Sequence, residues 1–234
     1  MNRKIVSFSD SDKFSQYCKM ISKSFCPFLH PAEKNEVLFC TEYHLKSDRI
    51  ENIKKEIFYY GVEHAERLRQ FRHQEPDILK KLVACENIVF YLPNAFKKVD
   101  GSDLLMWSHF MIKLLYTSVG IMVGKFWINE KQNARNGEMI PEPPCHFLSI
   151  RSAIKTKDPY FFKRADYLLP DLMESKDNME NVHILLPKEK ELTYKNMEEL
   201  DYYNIVYKWA DEERVRRKNE KKSLPSIPIQ RSSS

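Results

Sequence analysis

Four short apolar runs stand out along the chain. Each is rich in β-branched or aromatic residues and is bounded by charged or turn-forming residues, which is the pattern of a buried β-strand. The runs are 37–44, 88–92, 121–128 and 146–151, and a further short apolar run occupies 182–186. We therefore predict a sheet of three to five strands, with 88–92 as its clearest member.

Between these runs, apolar residues recur at intervals of three and four positions, as on the buried face of a helix. Polar residues that can cap a helix precede several of these segments, and Gly120 supplies a stop for one of them. The predicted helices span about 12–24, 48–72, 76–82, 103–119 and 158–172, and a long one begins near 196. Ser47 or Asp48 is the expected cap of the second helix, and Ser102 or Asp103 that of the fourth.

This order of elements indicates an α+β fold, a mixed α/β arrangement in which helices cover a sheet mainly on one side, better than a repeated βαβ winding. C-terminal helices and a basic tail lie outside the sheet. The expected organisation is a helical lead-in over 1–24, a core domain over 25–187, a C-terminal helix over 188–222 and a disordered tail over 223–234.

Composition supports a folded body and limits its chemistry. Hydrophobic residues make up 42% of the chain and aromatic residues 12%, which is enough apolar surface for a core. Only five glycines occur, and neither a P-loop nor a Gly-x-Gly-x-x-Gly turn is present. A glycine-rich phosphate cradle is therefore not expected.

The sequence gives no sign of a targeting segment or of a disulfide framework. The basic start of the chain is followed by polar residues, so no signal peptide is expected, and no apolar stretch reaches the length of a membrane span. Five cysteines form an odd set without paired spacing. We expect a soluble, cytoplasmic protein whose cysteines are free thiols.

The spacing Cys26-x-x-x-His30 followed by Cys40-x-x-x-His44 places four metal-binding side chains within nineteen positions. Zinc accepts two thiolates and two imidazoles. On a straight strand, however, Cys40 and His44 lie about 13 Å apart. The four residues therefore do not predict one tetrahedral site. Cys26 and His30 remain candidate metal ligands. The alternative is that the cysteine is simply buried and the histidine simply exposed.

Arg151 ends an otherwise apolar strand and has two possible roles. Its guanidinium can present a two-pronged contact to a carboxylate or phosphate in a pocket, or it can form a salt bridge with Asp158. His146 or Cys145 can line the same cleft, but not both, because adjacent strand residues face opposite sides.

Several short motifs resemble those of a known family. The segments are Phe25-Cys26-Pro27-Phe28, Gly124-Lys125-Phe126, Phe147-Leu148-Ser149-Ile150-Arg151 and Asp158-Pro159-Tyr160-Phe161-Phe162. They look like an uncharacterised bacterial domain family with a Cys-Pro-Phe start, a Gly-x-Phe strand and an Ile-Arg then Asp-x-x-Phe ending. The resemblance covers roughly 25–168 and brings no activity with it.

A weaker similarity is to the YqcI/YcgG family, some members of which are haem-dependent N-oxygenases acting on guanidino or amino groups of small metabolites. The chain lacks that family's longer Pro-Cys segment. The similarity implies an oxidoreductase of small-molecule metabolism, with haem and a small amine or amino-acid-derived substrate. From this similarity only Cys26 and its neighbourhood carry over, with Cys26 or His30 as ligand or neighbour of the iron. The expected cofactor-binding residues are Cys26, Phe28, His30 and Phe126. The expected catalytic residues are Asp158 and Arg151, which orients an anionic substrate.

The alternative function is a non-catalytic binding or accessory protein that recognises a partner through its sheet and basic tail. From Asp211 onward, seven basic residues stand against four acidic ones. The interleaved acidic residues, and the absence of an aromatic platform after Trp209, argue against nucleic acid as the partner.

Overall fold

The structure is a computed structural model that describes residues 3–134, 136–163, 165–183 and 193–223. It shows an α+β fold built on a five-stranded mixed sheet, as the sequence predicts. The strands are β1 (Lys4–Ile5), β2 (Leu38–His44), β3 (Cys85–Tyr91), β4 (Ile121–Phe126) and β5 (His146–Ser152). Their order is β1-β2-β3-β5-β4, with β2 and β3 parallel and every other neighbouring pair antiparallel.

Eight α-helices surround this sheet in the described part of the chain. They are α1 (Lys13–Ser24), α2 (Leu29–Lys34), α3 (Ile50–Gln74), α4 (Ile78–Val83), α5 (Gly101–Tyr116), α6 (Leu169–Met173), α7 (Tyr194–Glu199) and α8 (Tyr202–Ser223). Short 3₁₀ turns occupy Asn94–Phe96, Thr117–Val119, Asp158–Phe162 and Asp166–Leu168. None of the described helices combines the length and apolar character that crossing a membrane requires.

The two faces of the sheet carry separate cores because side chains alternate along each strand. On one face, Ile88 of β3 packs with the larger layer formed by α3, α5, α7 and α8. On the other face, its neighbour Val89 packs with α1 and α2, whose Phe14 and Leu29 are buried. Most helices therefore cover one face of the sheet, as predicted, and α1 and α2 form a smaller layer on the other face.

Two predicted helix caps are wrong. Asp100, in an extended conformation, caps α5 by accepting a hydrogen bond from the Ser102 amide at 2.8 Å, two positions before Ser102, the nearer of the two expected caps. Helix α3 starts after Arg49 without a side-chain cap, because the Ser47 hydroxyl accepts from the Arg49 amide within the preceding turn.

The predicted helix over 158–172 is also wrong. The segment forms two 3₁₀ turns and then α6, in which Pro170 occupies the first turn. Proline lacks an N–H group and its ring clashes with the preceding turn inside a longer helix, so it is tolerated only at a new start. The long helix near 196 is likewise divided, since Asp201 adopts a left-handed φ of 48° between α7 and α8.

The remaining elements follow the apolar pattern, with different ends. Strand β3 begins three residues before the predicted run, and β4 stops at Phe126 instead of residue 128. The pattern missed β1 and α2, both of which are short. The predicted disordered tail lies almost entirely outside the described residues, as does most of the apolar run at 182–186.

Candidate functional site

A cavity of about 380 Å³ lies where the C-terminal half of α3 meets α4, the start of β4 and the end of β5. We call it the Arg72 pocket. Its lining consists of Arg69, Arg72, His73, Lys81, Leu82, Gly120, Ser152, Ala153, Asp177 and Met179. Three cationic side chains and a single carboxylate therefore face one space.

Arg72 is held rigidly at the wall of this pocket. Its guanidinium donates to the carbonyl oxygens of Val119 at 2.8 Å and Gly120 at 2.9 Å, and to Asp177 at 2.5 Å. Burial lowers the pKa of Arg72 despite the opposing effect of Asp177. An arginine nevertheless stays protonated in proteins, so this wall keeps its positive charge at neutral pH.

Asp177 is shared between two arginines. Arg69 donates to it through Nε and Nη2, at 3.2 and 2.9 Å, while Arg72 contacts its other oxygen. Burial acts to raise the pKa of Asp177, but the hydrogen bonds and charge of Arg69, with the charge of Arg72, lower it. One carboxylate thus offsets only part of the positive charge of the pair.

Lys81 and His73 supply the unengaged donors of the pocket. In the described part of the chain, neither the Lys81 ammonium nor the His73 ring forms a hydrogen bond or an ion pair. Lys81 is half-buried on α4, and His73 is exposed near the end of α3. A ligand in the pocket therefore meets two donors that have no competing partner within the described protein.

A buried polar network lies behind Arg69. Arg69 donates to Glu66 at 3.0 Å, and Glu66 also accepts from the Tyr116 hydroxyl at 2.8 Å. His183 lies between Tyr116 and Tyr202, with ring nitrogen to hydroxyl distances of 2.9 and 2.5 Å. The network joins α3, α5 and α8 and fixes the position of Arg69.

The acid-base properties of this network favour a role in holding Arg69 in place over a role in proton transfer. Burial would raise the pKa of Glu66, but hydrogen bonds from His183 and Tyr116 and the charge of Arg69 lower it. Burial and the Glu66 carboxylate raise the pKa of Tyr116 well above its usual value. At neutral pH the carboxylate stays ionised and the phenol stays protonated, so Arg69 keeps its countercharge.

The predicted residues Arg151 and Asp158 lie outside this pocket. Arg151 is near the end of β5, and Asp158 begins the 3₁₀ turn that follows β5. Arg151 binds Asp158 through two parallel hydrogen bonds of 2.9 and 2.6 Å. Its guanidinium also covers the Phe28 ring, with 3.8 Å between Cζ and the ring centroid. Of the two roles considered for Arg151, the salt bridge is the one present; a catalytic role stays a prediction.

Cys26 lies near Arg151 and packs against the α1–α2 core. Burial raises the pKa of its thiol, although backbone N–H groups of Phe28 and Leu29 and the charge of Arg151 act in the opposite direction. Iron binds the thiolate, not the thiol. This environment does not favour Cys26 as a haem ligand.

His30 and Phe126 have different surroundings. His30 is exposed, and its ring centroid lies 6.3 Å from that of Phe8. Phe126 stacks on Phe147 at 4.6 Å within the core that also contacts Cys26. Among the residues that the structure describes, no three His, Cys, Asp or Glu side chains gather as a metal site. The assignments of cofactor and metal ligands remain predictions.

The apolar pattern did not identify the Arg72 pocket. Glu66, Arg69 and Arg72 follow one another at three-residue spacing and so share one side of α3. That spacing was an available signal for an ion-pair cluster. Asp177 lies in a polar segment without periodicity, and His183 lies within the apolar run at 182–186; neither pattern indicates a position beside Arg69.

Comparison with known proteins returned no significant match to a family model, to a curated protein or to a solved structure.

Proposed function

We propose that this protein binds a small metabolite bearing a carboxylate or phosphate group in the Arg72 pocket. The concentration of Arg69, Arg72 and Lys81 around a single lining carboxylate carries this proposal. Even when Glu66, which lies behind Arg69, is counted, one positive charge remains. An anion entering the pocket balances that charge.

The shape of the pocket supports a ligand with both polar and apolar parts. Leu82, Ala153 and Met179 contribute carbon surface to the lining beside the cationic groups. A volume of about 380 Å³ lies in the lower part of the range of small-molecule sites. A compact organic acid matches this volume better than a dinucleotide.

Preorganisation is the second support. Arg69 and Arg72 are already oriented by Asp177, Glu66 and two backbone carbonyls, so little side-chain freedom is lost on binding. Glu66 and Tyr116, which lie behind Arg69, keep fixed protonation states at neutral pH. The geometry therefore favours binding of an anion over acid-base catalysis. The haem-dependent oxidoreductase activity remains a separate prediction that rests on the resemblance alone.

Isothermal titration calorimetry with a panel of small mono- and dicarboxylates, succinate included, tests this function. We expect at least one acid to bind, and Lys81→Gln to weaken its binding about tenfold, because one charge-assisted contact is lost.

Lys80→Gln is the matched control, since Lys80 precedes Lys81 on α4 but does not line the pocket. We expect this variant to bind like the unsubstituted protein. Absence of binding across the panel, or equal weakening by the two substitutions, contradicts the proposal.

A further inference from the structure

A second cavity, with a volume of about 230 Å³, lies at the opposite end of β5. The N-terminus of α5, the turn before it and the residues after β4 enclose it. We call it the His146 cavity. Its polar and aromatic side chains are those of Lys97, Lys98, Asp100, Trp127, Asn129 and His146, and Gly101 also lines it.

His146 is the feature that points to a ligand. Its side chain is 5% exposed, and its buried Nδ1 has no hydrogen-bond partner in the described part of the chain. The ring edge between the two nitrogens faces α5, since a Cβ placed on Gly101 would lie 2.9 Å from His146 Cε1. An unpaired polar group in a buried position destabilises the protein, and a ligand that pairs with the ring removes this cost.

The first turn of α5 adds further donors. The Asp100 carboxylate accepts from the Ser102 amide and its carbonyl oxygen accepts from the Leu104 amide, so the Gly101 amide, which belongs to the cavity lining, has no acceptor among the described residues. The N-terminus of a helix also carries partial positive charge, which favours an anion. Gly101 lets the cavity wall approach this turn closely, because a Cβ there would lie 2.3 Å from Trp127 Cβ.

The charge of the lining agrees with an anionic ligand. Lys97 and Lys98 are both exposed at the rim, and Asp100 is the only carboxylate in the described lining. Its side chain is committed to capping α5. The His146 cavity therefore combines net positive charge with unpaired polar groups in its lining.

We propose that the His146 cavity binds the phosphate group of a small metabolite. His146 and the free Gly101 amide act as hydrogen-bond donors, and Lys97 and Lys98 supply the countercharge. The cavity is smaller than the Arg72 pocket, so the ligand is a phosphate with a short carbon skeleton, which lies against Trp127.

The test is a titration of the full chain with inorganic phosphate, followed through the NMR amide resonances of Gly101 and Asp103. The protein carries Lys81→Gln, which weakens anion binding in the Arg72 pocket. We expect saturable shifts at both amides. Both Lys97→Gln/Lys98→Gln and His146→Phe should weaken phosphate binding about tenfold, because each removes charge-assisted or direct donors.

Lys19→Gln/Lys23→Gln is the control, since it removes the same charge from the exposed side of α1. We expect it to leave phosphate binding unchanged. The proposal is overturned if neither amide shifts saturably, or if the α1 pair weakens binding as much as the rim pair. Circular dichroism establishes folding of His146→Phe; if that variant unfolds, the comparison of the two lysine pairs decides.

Discussion

Arg151 and Asp158 form a two-point ion pair in a nearly water-free setting. The Asp158 side chain is fully buried and that of Arg151 is 14% exposed. Asp158 also accepts from the Ile154 amide at 2.5 Å, which closes the turn after β5. The pair therefore links the end of the sheet to the 3₁₀ turn that follows it, and removing one partner leaves a buried charge without compensation.

We expect Asp158→Asn to lower the free energy of unfolding by about 3 kcal/mol, because Arg151 then keeps an unpaired charge in a buried position. Urea unfolding followed by circular dichroism measures this change. The control is Glu199→Gln, which removes the exposed pair between Lys195 and Glu199 and should cost less than about 0.5 kcal/mol. Similar losses of unfolding free energy in Asp158→Asn and Glu199→Gln would show that burial does not strengthen the contribution of the Arg151–Asp158 pair to stability.

For single residues, the sequence indicated Asp158 as the partner of Arg151 but did not decide between a salt bridge and a ligand contact for the arginine. The spacing of Arg151 and Asp158 permits a salt bridge, but whether the guanidinium is used internally depends on the turn between them. That turn is set by the Ile154 amide and by the 3₁₀ geometry beyond it, neither of which has an apolar pattern.

Helices α3 and α5 approach each other closely at Gly61. A Cβ placed there would lie 2.3 Å from Ile112 Cδ1 and 3.3 Å from Leu148 Cδ1. Glycine inside a 25-residue helix is unfavourable by about 1 kcal/mol relative to alanine. The close packing of α3 against α5 and the sheet offsets this intrinsic cost.

We predict that Gly61→Ala lowers the free energy of unfolding by about 1–2 kcal/mol, because overpacking outweighs the gain in helix propensity. Ile112→Val removes the clashing methyl group and alone should cost about 1 kcal/mol. In the double variant the two losses should not add, and the second substitution should recover stability. Additive losses in urea unfolding would show that the two residues are not in conflict.

Elements with a long apolar pattern were predictable, and short or interrupted ones were not. The pattern located α3, α5 and four strands, because their periodicity extends over several turns or a full buried run. It missed α2, which spans six residues, and β1, which has two. The divided segments at 158–172 and 194–223 depend on Pro170 and on the left-handed backbone at Asp201.

At the scale of the whole molecule, the N-terminal end of the described chain is tied to the centre of the sheet. Arg3 pairs with Glu86 of β3, and its guanidinium lies 3.4 Å from the centroid of the Phe39 ring. Glu86 also contacts His64 Nδ1 at 3.1 Å, and His64 Nε2 contacts the Tyr43 hydroxyl at 2.9 Å. One buried carboxylate thus connects β1, β2, β3 and α3.

This carboxylate should make stability depend on pH. Burial would raise the pKa of Glu86, but the hydrogen bond and charge of His64, with those of Arg3, lower it below its usual value of about 4.5. A lowered pKa stabilises the fold above about pH 4.5, and this contribution is lost as the pH falls through the folded pKa.

We expect Glu86→Gln to lower the free energy of unfolding by about 3 kcal/mol at pH 7, since Arg3 and His64 lose their buried partner. Below about pH 4.5 the difference from the unsubstituted protein should shrink, because protonation removes the same charge there. Urea unfolding between pH 3 and 7 measures both effects. A constant difference across this range would contradict the assignment.

The Arg72 pocket could be predicted only in part. Its α3 residues share one helix face, which the sequence reveals through their spacing. Asp177 is 108 positions from Arg69, and the tertiary fold alone brings the two together. The His146 cavity is similar, because its residues come from three separate segments, and His146 was expected in the same cleft as Arg151 at the other end of the strand.

Strand β5 runs from the His146 cavity to the Arg72 pocket, so its seven residues set the separation between them. At about 3.4 Å per residue, this separation is roughly 20 Å. The two cavities share no lining residue. Perturbations at such a distance with no shared partners act additively. Occupants of the two cavities should therefore raise the melting temperature independently, and their combined effect should equal the sum of the separate ones.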